Sequence, residues 1–137
     1  MNNLRTDILL VEDNPDEAIL ALRQLRKDNT GKDILHVKDG VEALDFIFGT
    51  GKFMGRDITK PPQLVLLDIN MPRVNGLEVL EKVRADERTS NIPIVMLVAT
   101  ASVPDVEKCH ALGASGFIVK PVTLENYNSM LQELGMR

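Results

Sequence analysis

Five residues able to do chemistry stand directly behind short apolar runs. Glu12 and Asp13 follow Ile8-Leu9-Leu10-Val11, Asp68 and Asn70 follow Leu64-Val65-Leu66-Leu67, and Lys120 follows Phe117-Ile118-Val119. A carboxylate can act as a nucleophile and form a covalent acyl phosphate. Oxygen ligands with a carbonyl donor suit a hard cation such as Mg²⁺. Such an ion and Lys120 would hold charged phosphoryl oxygens during a transfer. Taken singly, none of these residues is specific. An acid after a strand is usually a helix cap or turn residue, and a Lys-Pro step is usually a turn. The combination is harder to dismiss, because two carboxylates about 5 Å apart repel by roughly 3 kcal/mol at an effective dielectric near 20. A third acid makes this worse unless a divalent cation or a lysine compensates.

The elements that must position these residues can be read from apolar patterning. Strands are predicted at Ile8–Val11, Ile34–Val37, Leu64–Leu67, Ile94–Val98 and Phe117–Val119, each a short aliphatic or β-branched run. Amphipathic stretches separate them. Asn14 caps a first helix with Pro15 at its first position and Ala18, Leu22 and Leu25 as its stripe. A second helix runs from Val41 to Phe48 and ends at Gly49. A third starts at Asn75-Gly76 and runs through Ala85, with Leu77, Leu80 and Val83 inward. A fourth spans about Val103 to Leu112 before Gly113. Thr123 caps a fifth with Leu124, Tyr127, Leu131 and Leu134 as its stripe. Residues 49–62 carry glycine, charge and two prolines and read as an exposed loop. Strands alternating with helices must run parallel under helices on both faces, a (βα)5 pattern. Every strand then ends on the same edge, where ligands bind. Glu12, Asp13, Asp68, Asn70 and Lys120 are thereby expected to converge.

Length and composition narrow the class. The 137 residues fit one domain spanning 1–137, and 44% hydrophobic content allows a real core. A formal charge of −4 with no basic run argues against nonspecific nucleic-acid binding. Arg23, Arg26 and Lys27 read as a solvated helix face. Cys109 is the only cysteine, which excludes a disulfide framework. Met1–Arg5 has no apolar run suited to a signal peptide, and no stretch approaches the roughly 18 apolar residues of a membrane span. The expected location is the cytoplasm.

Val11-Glu12-Asp13-Asn14, Leu67-Asp68-Ile69-Asn70-Met71-Pro72, Asn75-Gly76, Leu112-Gly113-Ala114 and Val119-Lys120-Pro121 together resemble the receiver domain of bacterial two-component response regulators. The resemblance covers nearly the whole chain. It implies an α/β fold, a doubly wound five-stranded parallel sheet of flavodoxin-like (βα)5 type with strand order 2-1-3-4-5. It makes Asp68 the phosphoacceptor, Asp13 a direct Mg²⁺ ligand, Glu12 an assisting ligand and Asn70 a backbone-carbonyl ligand. It also gives Lys120 the phosphoryl group and a cis bond to Pro121. Phe117 falls where the family keeps an aromatic that swings on activation; plain core packing is the other reading. The run Val41–Phe46 and the loop 49–62 look like the single-domain regulators that partner phytochrome-type sensor kinases. The implied partners are a sensor histidine kinase, a downstream protein target, and a second copy in a weak homodimer through the last helices if the protein is not a monomer.

One position departs from the family. The fourth strand ends where a Thr or Ser should hydrogen-bond the phosphoryl group, and Val98 stands there. Thr100 could substitute if the backbone bends. A switch with a muted response is therefore expected. Two further readings stay open. A pseudo-receiver would only bind partners. A metal-dependent phosphatase would use Asp68 as nucleophile, yet Asn70 stands where such enzymes often carry a general acid. Gly49-Thr50-Gly51-Lys52 fails as a phosphate loop, lacking the upstream glycine and a following Ser/Thr. Cys109-His110 lies mid-helix without metal partners in view, and His36 is expected at a strand end.

Overall fold

The computed structural model describes residues 6–28, 30–71, 73–100 and 103–136. The readings made of Met1–Arg5 and of Pro72 lie outside the described residues. Strands β1 (Ile8–Val11), β2 (Ile34–Val37), β3 (Leu64–Asp68), β4 (Ile94–Val98) and β5 (Gly116–Val119) alternate with helices α1 (Pro15–Arg26), α2 (Gly40–Phe48), α3 (Gly76–Ala85), α4 (Val103–Ala111) and α5 (Leu124–Glu133). All pairings are parallel and the order is β2-β1-β3-β4-β5. This is the doubly wound, flavodoxin-like order that the resemblance implies.

The sheet sorts its side chains by the two-residue period of a strand. Leu9, Val11, Val65, Leu67, Met96 and Val98 pack with Phe46, Leu80 and Cys109 on one face. Ile8, Leu10, Leu64, Leu66, Val95 and Leu97 pack with Leu25, Tyr127 and Leu131 on the other. The three inner strands are buried throughout, which is why they read as unbroken apolar runs. The edge strands β2 and β5 are only partly covered.

Among the described residues, four helix starts carry side-chain caps. The Asn14 side chain accepts from the Asp16 and Glu17 N–H groups, and Asp39 accepts from that of Glu42. Asn75 and Glu78 form a capping box at α3, as do Thr123 and Asn126 at α5. Each satisfies helix donors that would otherwise lack a partner.

Several local expectations need correction. The loop 49–62 is not simply exposed. It holds a 3-10 turn at Gly51–Phe53, and Phe53, Arg56 and Pro62 are buried. Phe53 meets Phe46 edge-on with ring centroids 5.1 Å apart, and the Arg56 guanidinium lies 4.0 Å from the Phe46 ring centroid. Ala21 rather than Leu22 completes the buried face of α1, Val79 replaces Leu77 in α3, and Met130 joins Tyr127 and Leu131 in α5. In each case the helix is rotated slightly from the assumed stripe, and the displaced leucine packs half-buried at the rim. His36 lies within β2, and its Nε2 is 2.8 Å from the Glu12 carbonyl oxygen.

Candidate functional site

The register of the sheet assembles the site. Val11 pairs with Leu67, so Glu12 and Asp68 leave adjacent strands side by side. Val98 pairs with Val119, and the Lys120 N–H donates to the Val98 carbonyl at 2.8 Å, which turns Lys120 over the end of β4. The Lys120–Pro121 bond is cis. Lys120 Nζ then lies 3.0 Å from Asp68 Oδ2, 3.1 Å from Glu12 Oε1 and 3.6 Å from Glu17 Oε2. Glu12 and Asp68 are each only 3% exposed, whereas Asp13 is exposed.

Glu12, Asp13 and Asp68 each offer an oxygen within 4.8 Å of the others. One ammonium among three carboxylates leaves a formal excess of negative charge. Burial pushes Glu12 up to about 7, and a hydrogen bond and repulsion from Asp68 push the same way; Lys120 and the Asn14 N–H only partly oppose this. For Lys120 burial alone would favour the neutral amine, but hydrogen bonds with Asp68 and Glu12 outweigh it and raise its pKa. The ammonium is therefore held firmly. An oxygen-only donor set with surplus negative charge fits a hard divalent cation.

Of the residues expected at the site, Glu12, Asp13, Asp68 and Lys120 come together at the sheet edge. Asn70 lies on the same turn as Asp68, and its N–H donates to Asp68 Oδ1 at 3.2 Å. Val98 is the last residue of β4 and is buried in the cluster that holds Met96 and Cys109. Phe117 pairs with Met96 and packs half-buried against that cluster. Thr100 is exposed beyond the strand.

Three neighbours escaped the sequence reading. Glu17 reaches Lys120 from the first turn of α1, and an acid there could have been flagged once the helix start was placed beside the site. Gly76 touches the Asp68 backbone, although the Asn75-Gly76 pair signalled only a helix start. Arg73 pairs with Asp39 from 34 positions away, and no local pattern announces that contact. A cleft of about 390 Å³ opens beside the acids, lined by Glu12, Glu17, Leu20, Leu97, Lys120 and Val122 among others.

Comparisons with known proteins place this geometry. Residues 8–132 match the family described as the response regulator receiver domain. The bacteriophytochrome response regulator RtBRR superposes with a TM-score of 0.88 at 36% identity, covering 98% of this chain and 80% of that one. The bacteriophytochrome response regulator AtBRR does so with a TM-score of 0.87 at 38% identity, covering 99% and 96%. Response regulator Rcp1 of Synechocystis sp. is 28% identical over 125 residues, 91% of this chain and 83% of that protein. Its Mn²⁺-bound form superposes with a TM-score of 0.76, covering 93% of this chain and 89% of that one. No helix among the described residues is long and apolar enough to cross a membrane. With residues 8–132 matching its model, the chain belongs to the response regulator receiver domain family, the phosphorylatable switch domains of two-component signalling.

Proposed function

We propose that Asp68 accepts a phosphoryl group from a phosphohistidine on a partner sensor kinase. The observation that carries this reading is the buried Asp68 carboxylate, held 3.0 Å from Lys120 at the C-terminal edge of the sheet. An Asp68 oxygen forms the new P–O bond as the P–N bond breaks, and the electron pair of that bond leaves with the imidazole. Lys120 stays charged and holds a phosphoryl oxygen. Glu12, Asp13, Asp68 and the backbone carbonyl of Asn70 would hold Mg²⁺. Once bound, it supplies positive charge against the phosphoryl oxygens. Two similar proteins support the assignment: Rcp1 has been solved with Mn²⁺. Cyanobacterial phytochrome response regulator RcpA, 27% identical over 96% of this chain at a TM-score of 0.78, has been solved phosphorylated. The domain assists its own phosphorylation and hydrolysis and turns over no outside substrate. The half-exposed Leu20 gives the cleft an apolar wall beside Glu12 and Lys120, a surface open to a cytoplasmic kinase. A downstream protein or a second copy would read the change on α4, β5 and α5.

Incubation with Mg²⁺ and acetyl phosphate tests the proposal by intact mass. The wild type should gain one phosphoryl group, and Asp68→Asn should gain none. Labelling that survives in Asp68→Asn would remove Asp68 from the role. Turnover of phosphate esters would favour a phosphatase, and inertness toward every donor and kinase a pseudo-receiver.

Val98 bears on the readout. Its side chain has nearly the shape of threonine but carries no hydroxyl, and a hydrogen bond to a charged group is worth roughly 1.5–3 kcal/mol. Val98→Thr should strengthen the conformational response to phosphorylation and change the phosphoryl lifetime. The unphosphorylated variant should lose about 1–3 kcal/mol, because the hydroxyl enters an apolar cluster. Lifetimes followed by mass, with melts of both forms, check this. An unaltered lifetime together with an unaltered response would end the idea of a muted switch.

A further inference from the structure

Resting on the proposed cation site, we infer that Arg73 is a positioning residue: its grip on Asp39 holds the turn between β3 and α3, and so sets Asn70 relative to Asp68. Arg73 has φ 64°, the one non-glycine among the described residues with a left-handed backbone. L side chains avoid that region and glycine enters it freely. An arginine kept where glycine would sit without strain points to a use for its side chain. That use is visible: Arg73 Nη2 lies 2.6 Å from Asp39 Oδ2.

Asp39 is a fixed anchor. It is buried, and its other oxygen, Oδ1, accepts the Glu42 N–H at 2.8 Å as the cap of α2. The next residue tightens the junction, since a Cβ on Gly40 would lie 2.2 Å from the Val74 carbonyl oxygen. The turn therefore rests on the start of α2 through both a side-chain pair and a backbone contact. Its base is closed as well. The Gly76 N–H donates to the Ile69 carbonyl at 3.1 Å, and the Asn70 N–H donates to Asp68 Oδ1 at 3.2 Å. Asn70 sits between base and clamp. A backbone carbonyl serves a cation only when held to within tenths of an ångström, and groups behind the ligands do that holding.

The bland alternative is that Arg73 merely completes the Asp39 cap and contributes only to stability. Arg73→Gly separates the two, because glycine relieves the left-handed backbone while removing the clamp. Mn²⁺ is a suitable probe for the full chain, read by the electron paramagnetic resonance of the free ion. The wild type should bind Mn²⁺ and Asp13→Asn should not. Arg73→Gly should weaken binding about tenfold, the usual scale for loss of a supporting group, when measured at a temperature where its melt shows it fully folded. Asp39→Asn, which keeps a good cap but loses the charge, should behave likewise. Arg73→Lys, still cationic, should recover most of the affinity. In the metal-free protein the Asn70 and Gly76 amides should exchange hydrogen faster in Arg73→Gly. Wild-type affinity with unchanged exchange in Arg73→Gly would overturn the inference. A wild type that binds no Mn²⁺ would instead overturn the cation site itself, and the inference with it, whatever Arg73 does.

Discussion

Lys120→Met should cost the folded protein about 3–5 kcal/mol near pH 8, and much less near pH 5. Lys120 Nζ stands 3.0 Å from Asp68 and 3.1 Å from Glu12, and both acids are almost wholly buried. Methionine keeps the apolar stem and removes the charge. Two buried carboxylates then face each other with no cation between them. Removing one partner of a buried ion pair is costly because the other keeps its desolvation penalty.

The pH dependence follows from Glu12, whose pKa is pushed up to about 7 from an ordinary 4.5. Between those values the folded state retains a proton that the unfolded chain has lost. Stability from this group therefore falls as pH rises through that window. Lys120 opposes the upward shift, so its removal carries Glu12 higher, widens the window and steepens the fall. At about pH 5 Glu12 is protonated in the folded variant and the repulsion is relieved. Lys120 has the same sense at higher pH: its pKa is raised, so its contribution is fully present below 10.5 and is lost only as pH rises beyond its folded value. It is therefore constant across the range in question. Denaturant melts of both proteins from about pH 5 to 9 would show the divergence, and millimolar Mg²⁺ should narrow it by binding only the folded acids. Equal stability at pH 8 would mean that Lys120 does not compensate the acids.

That site was largely legible from the order of residues, for a geometric reason. Glu12, Asp68 and Lys120 each follow an unbroken apolar run, and parallel strands put all such positions on one edge. Patterning alone implied parallel strands but not which lie side by side. The order 2-1-3-4-5 came from the resemblance, and with it the adjacency of Glu12 to Asp68. Other features left no trace of periodicity. Phe53 and Arg56 sit in a polar, glycine-containing segment, and only the fold reveals that Phe46 waits to receive both. The Asp39–Arg73 pair joins two loops 34 residues apart, with neither partner in a motif. Val98 was located by counting along β4, but what its missing hydroxyl does depends on a phosphorylated state that no residue pattern encodes.

Gly76 shows how a residue can be noticed for the wrong reason, and Gly76→Ala should cost about 3 kcal/mol as well as most of the phosphorylation rate. In sequence, Asn75-Gly76 marks a helix start. In the fold, a Cβ at Gly76 would lie 2.2 Å from the Asp68 carbonyl oxygen and 2.9 Å from Ile69 Cα. Both are backbone atoms at the C-terminal end of β3, at and just after the proposed phosphoacceptor, so no side-chain rotation relieves the clash. Alanine inside a helix ordinarily gains about 1 kcal/mol over glycine, which makes a net loss here a clear sign of crowding. Either α3 moves away, breaking the bond from the Gly76 N–H to Ile69, or Asp68 shifts relative to Lys120. Gly116→Ala is the control. Its Cβ would meet only Met130, at 2.8 Å from Sδ, and that flexible side chain can swing aside. Melts and acetyl-phosphate labelling of the two variants decide the matter. Should Gly76→Ala prove no less stable than Gly116→Ala and label at the wild-type rate, the start of α3 has room to spare. In that case the close approach to Asp68 does not constrain the site.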